Sequence, residues 1–176
     1  MTNHFELYNL PQSFNPVPAQ VKAKYYELSR TWHPDRFAQA PMHERAEALR
    51  MAALNNDAYK TLNDPDRTMA YVLKLNGLLE EEEKYSLPPA FLMEMMDLNE
   101  TVSEYEEAAQ SGKPNNQAIE AMTGYLNDWQ DEIAPLIQRY DNGEHTTQLL
   151  LQIKDYYFRK KYLLRIQERI DRFAAR

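Results

Sequence analysis

Apolar residues recur along this chain with the period of a helix, about 3.6 residues. Val21, Tyr25, Leu28 and Trp32 stand at i, i+4, i+7 and i+11, so a helix from Pro18 to Trp32 gathers them on one buried stripe. A short helix is predicted before it in "NHFELYNLP", where Phe5, Leu7, Tyr8 and Leu10 are apolar and Pro11 closes the element; "QSFNPVPA" reads as a loop. Pro34 disfavours the α conformation at His33, so the helix should stop there and "HPDRFAQAP" becomes a connection. From about Pro41 to Leu62, Leu54, Ala58 and Leu62 repeat at four-residue spacing and can pack back on Tyr25 and Leu28. That pairing predicts an antiparallel hairpin with His33, Pro34 and Asp35 at its tip. A short fourth helix follows, with Asp64 as N-cap, Pro65 at the first helical position and Gly77 as a left-handed C-terminal cap.

The pattern breaks at "LLEEEEKYSLPP", read as a solvated connector or helix turn, which predicts a boundary over residues 78–87 between domains at 1–77 and 88–176. Three further helices are predicted, from about Pro89 to Gln110, Asn116 to Tyr140 and His145 to Phe173, with turns at "SGKPNN" and "DNGE". They make a three-helix bundle, in which Pro135 should kink or end the second helix. On its first helix Phe91, Met95, Leu98, Val102 and Tyr105 form a complete core stripe. Leu92, Met93 and Met96 lie toward the other side with Asp97, Glu100 and Glu104 beside them. This surplus apolar surface is either a partner site or a contact with the first domain or the third bundle helix.

Composition agrees with an all-α fold: of 176 residues only four are glycine, and helix-favouring residues are abundant. The net charge of −7 and the lack of a basic run argue against nucleic acid as a partner. No stretch approaches the ~20 apolar residues of a membrane span, and the N-terminus lacks a signal-like pattern, so a cytoplasmic location is expected, although a processed organellar form would look similar. The chain has no cysteine, which removes thiolate ligands and thiol nucleophiles, so no cofactor is expected and any iron–sulfur or zinc chemistry would reside in a partner.

His33, Pro34 and Asp35 admit several readings. As an enzyme site they lack a nucleophile and a phosphate loop, and as a metal site His33, Asp35 and His43 have no recognised ligand spacing. A third reading is a proline-terminated helix with an incidental histidine. The order of parts decides between them. A short aromatic helix, a helix ending in an aromatic residue, His-Pro-Asp, and a long antiparallel helix ending "NDAYKTLNDP" together resemble a J domain, the activating module of DnaJ-type co-chaperones. The resemblance implies that His33, Pro34 and Asp35 engage a DnaK-type chaperone ATPase and trigger its hydrolysis of ATP, with Lys22, Tyr26 and Arg30 as contacts on the preceding helix. Tyr26 and Glu27 stand where strongly basic J domains carry Lys or Arg, which suggests a more specialised ATPase.

The Gly/Phe-rich and cysteine-rich segments of general DnaJ proteins are missing. Instead "HPDRFA", "RTMAYVLKLNG" and "PAFLMEMMDLNE" resemble HscB, the J-domain co-chaperone family of iron–sulfur cluster assembly, with the weakest similarity from Gln110 to Leu149. The resemblance implies a non-enzymatic, L-shaped adaptor that recruits an HscA-type ATPase through its J domain. It further implies that Leu92, Met93, Met96, Asp97, Glu100 and Glu104, together with Phe158 from the last helix, hold an IscU-type iron–sulfur scaffold. A J protein serving another client is the alternative. Trp129, Tyr156 and Tyr157 are read as core or interface filler, and "FRKKY" as a local cationic face.

Overall fold

The computed structural model describes residues 2–113 and 115–174. Seven α-helices and a 3-10 turn account for the regular structure of the described residues, and they divide into two units, Met1–Gly77 and Leu78–Arg176.

The first unit contains α1 (His4–Leu7), α2 (Pro18–Thr31), the 3-10 turn Pro34–Phe37, α3 (Met42–Leu62) and α4 (Pro65–Leu75). Capping sets several of these limits. Asn3 and Glu6 exchange side-chain and backbone hydrogen bonds of 3.0 and 3.1 Å at the start of α1. The Asp64 carboxylate accepts from the amides of Asp66 and Arg67 to start α4, and Gly77 adopts φ +69° just past its end. α2 and α3 pair as a hairpin, with α1 and α4 both packed on α3.

Within the α2 stripe Val21 is fully buried, while Tyr25, Leu28 and Trp32 are half-buried. The Tyr25 ring stacks on Tyr59 with centroids 4.2 Å apart, so this part of the hairpin closes through aromatic faces. Asn55, 1% exposed, ties three elements together. Its amide donates to the Tyr25 carbonyl and the Ser29 hydroxyl at 3.0 Å, and its carboxamide oxygen accepts from the Tyr8 hydroxyl at 2.8 Å.

The second unit contains α5 (Pro89–Gln110), α6 (Gln117–Asp141) and α7 (Thr147–Ala174), each packed on the other two. The core stripe of α5 is buried as its spacing predicts, from Phe91 through Tyr105. It meets Met122, Trp129 and Ile133 of α6 and Ile153, Leu163 and Ile166 of α7 in the buried set of this unit. Trp129 also donates from its indole nitrogen to the Tyr156 carbonyl at 2.7 Å, linking α6 to α7.

Two expectations differ from what is found. Of a kink or an end at Pro135, the end does not occur: α6 runs unbroken to Asp141. The Pro135 ring is exposed while Ile133 and Tyr140 are buried on either side, so packing of that face outweighs the lost backbone bond. The glutamate run is also more than solvated: Leu79 is buried, Glu83 pairs with Lys154 of α7 at 2.7 Å, and the Tyr85 hydroxyl donates to Asp155 at 2.9 Å. Lys154 holds the Glu83 carboxyl below the usual carboxylate range. Burial, helped by Asp155, pushes the Tyr85 phenol up to about 12.

Candidate partner-binding surfaces

The end of α2 is built to hold a turn while leaving two side chains in solvent. Pro34 forces His33 into an extended conformation, φ −64° and ψ 132°, and then occupies the first position of the 3-10 turn. The turn closes through the Arg36 amide donating to the His33 carbonyl at 3.0 Å. Arg36 also reaches back, its guanidinium donating to the Arg30 carbonyl at 3.2 Å, where the carbonyl end of α2 favours a cation. Trp32 and Phe37 stack across the turn with centroids 5.8 Å apart. The His33 and Asp35 side chains stay exposed and close to each other, Nδ1 to carboxylate oxygen 3.7 Å. His33 Nδ1 accepts from the Asp35 amide at 3.3 Å, which leaves Nε2 as the ring nitrogen free of this bond and able to donate.

Lys22, Tyr26 and Arg30 follow at four-residue steps on the exposed face of α2, and Tyr26 is 50% exposed. Glu27 would dilute this cationic strip, but Lys24 pairs with it at 3.0 Å. Among the described residues no group of three or more His, Asp or Glu side chains is placed to hold a metal ion, so the candidate set His33, Asp35 and His43 is not brought together as one.

On α5 the second face is open. Leu92, Met93 and Met96 are 39%, 67% and 71% exposed, which leaves a large apolar patch uncovered. Asp97, Glu100 and Glu104 are exposed beside it and form no ion pair among the described residues. Phe158 is placed differently from these six. It is 9% exposed, and its ring lies flat against Tyr85 at 4.4 Å. It meets Leu92 only as a fellow wall of a groove of about 740 Å³ between the connector and α7. The neighbouring Tyr157, half-buried, contacts Phe158 edge-on at 5.1 Å and is the more accessible aromatic. Lys161, part of the cationic "FRKKY" face, and Arg165 one turn later line the same groove; Arg165 lies outside that segment, although its i, i+4 spacing from Lys161 is visible in the sequence.

The co-chaperone protein HscB homolog of Vibrio campbellii is 31% identical over 170 residues, 96% of this chain and 95% of its own length. The chain belongs to the HscB co-chaperone family. It therefore is not an enzyme. A family model described as the HSCB C-terminal oligomerisation domain matches residues 87–171, within the second unit. The HscB homolog of Shewanella amazonensis is 39% identical over 107 residues, 60% of this chain and 62% of its own. Among solved structures, the chaperone HscB from Vibrio cholerae superposes with a TM-score of 0.71 at 28% identity, covering 98% of each chain. Human HscB gives 0.74 at 27%, covering 96% of this chain and 80% of its own. The all-helical fold is thus that of HscB, a J domain followed by a C-terminal helical domain. No helix among the described residues is long and apolar enough to cross a membrane.

Proposed function

We propose that this co-chaperone stimulates ATP hydrolysis by an HscA-type chaperone and delivers an IscU-type iron–sulfur scaffold to it, in the cytoplasm. The observation that carries the first half is the His33–Pro34–Asp35 turn, whose backbone is fixed by Arg36 and by the Trp32–Phe37 stack while its side chains stay exposed. A rigid turn offering one imidazole donor and one carboxylate loses little conformational freedom on binding, which is the requirement for a trigger. Lys22, Tyr26 and Arg30 extend the contact along α2 toward an acidic, partly apolar surface of the ATPase.

The second half rests on the uncovered Leu92, Met93 and Met96 with Asp97, Glu100 and Glu104 at their side. Methionines adapt to an irregular partner, and the acids set its orientation by favouring basic groups opposite them. Phe158 supports this site from below, as a wall of the groove that begins at Leu92. Covalent chemistry enters nowhere; holding both proteins on one chain raises their effective concentration while the J domain accelerates hydrolysis.

Replacing His33 with Gln tests the assignment. The variant is expected to lose stimulation of HscA-type ATP turnover and to keep its affinity for the scaffold by calorimetry. Full stimulation by His33→Gln would contradict the role of the turn.

A further inference from the structure

The groove between the connector and α7 carries charge of the opposite sign to the molecule as a whole. In a chain of net charge −7, Lys84, Lys161 and Arg165 line it, all three exposed. None of the three forms an ion pair among the described residues. Of the two carboxylates in the lining, Glu83 is taken by Lys154 at 2.7 Å, which leaves Glu82 against three cations. The Lys161 ammonium sits over the Tyr157 and Phe158 rings, 5.7 and 5.8 Å from their centroids, and Arg165 follows one helical turn later. Leu92, Phe158 and Tyr162 give the groove an apolar wall.

This groove continues the open face of α5. At about 100° per residue, Leu92 and then Met96 lie between the groove and the strip of Asp97, Glu100 and Glu104. The far edge is marked by Tyr125 of α6, whose phenol is raised by burial and by the nearby charges of Glu94 and Asp97. The surface therefore runs from cationic groove through apolar ridge to acidic strip, all within the second unit.

We infer that Lys161 and Arg165 form a carboxylate-binding subsite, into which the partner that covers Leu92, Met93 and Met96 inserts an acidic segment bearing an apolar side chain. The inference rests on the scaffold-binding reading above and sharpens it. A partner that covers Leu92 reaches the groove, because Leu92 is one of its walls. A uniformly basic partner, suited to the acidic strip, would press like charges against Lys161 and Arg165 and strip them of water without pairing them. A carboxylate there satisfies both, with the arginine able to bind it through two parallel N–H bonds. The partner's contact surface must then be dipolar, and that polarity fixes which way round it docks.

Calorimetric titration of an IscU-type scaffold into the full chain tests this with five proteins: wild type, Met96→Ala, the double reversal Lys161→Glu with Arg165→Glu, the neutral pair Lys161→Gln with Arg165→Gln, and the exchanged pair Lys161→Arg with Arg165→Lys. The reversal is expected to weaken binding roughly tenfold or more at low salt, the neutral pair by less, and the exchanged pair hardly at all. The gap between wild type and reversal should narrow as salt is added. Circular dichroism checks that each variant keeps its fold, and the neutral pair carries the test if the reversal does not. Wild-type binding that Met96→Ala weakens but the neutral and reversed pairs leave unchanged would overturn the subsite alone. No binding by wild type would overturn the scaffold reading and the subsite with it.

Discussion

Asn55 concentrates the polar bonding of the first unit in one side chain. Its amide and oxygen bridge Tyr8, Tyr25 and Ser29, so α1, α2 and α3 share a single buried junction. Asn55→Ala should cost about 1–3 kcal/mol, because it removes the donor to the Ser29 hydroxyl, one of the two side-chain donors to the Tyr25 carbonyl, and the side-chain acceptor of the Tyr8 hydroxyl; chemical denaturation reads the loss. Nothing in "LNNDAY" separates Asn55 from the exposed Asn56, since burial there depends on where α1 and α2 dock. Leu92, Met93 and Met96 were legible for the opposite reason: a stripe that already fills the core face of α5 leaves its other apolar residues outside. Truncating all three to Ala should weaken scaffold binding by about 1–3 kcal/mol if they are central anchors. The same substitutions should leave stability within about 0.5 kcal/mol, as exposed side chains away from the core do. Calorimetry showing unchanged affinity would remove them from the site.

At the scale of elements, caps and spacing located the helices well because those signals are local. The ends of α4 and α5 follow from Asp64, Gly77 and the prolines around residue 89. What stayed hidden is tertiary. The persistence of α6 through Pro135 depends on Ile133 and Tyr140 being buried, and the docking of the connector depends on Lys154, Asp155 and Phe158 lying opposite it. The 3-10 turn after His33 reads as a plain connection until the Trp32–Phe37 stack and the Arg36 bond are seen to close it. The Glu83–Lys154 tie gives a pH signature. Its carboxyl is lowered in the folded state, so the tie contributes stability above the unfolded carboxyl's ordinary range and loses it as pH falls through the folded value. Glu83→Gln should therefore melt below wild type at neutral pH, and the difference should close under acid. A difference independent of pH would mean the pair does not hold the connector.

For the whole molecule, charge and exposure differ between the two units. One presents a fixed His-Pro-Asp turn with a cationic approach along α2, and the other an apolar ridge flanked by charges of both signs. The family and the all-helical fold were readable from motif order, since His33–Asp35 and the long helix after them fall in sequence as they do in space. The cationic face of "FRKKY" was readable too, but not the groove that Lys161 shares with Arg165, because the connector's approach to α7 creates it. The account's central claim is that the two surfaces act together. ATP turnover by an HscA-type chaperone, measured with this protein, with an IscU-type scaffold, and with both, tests that claim most directly. The account predicts stimulation by the pair well beyond the sum of the separate effects; turnover no greater than that sum would contradict it.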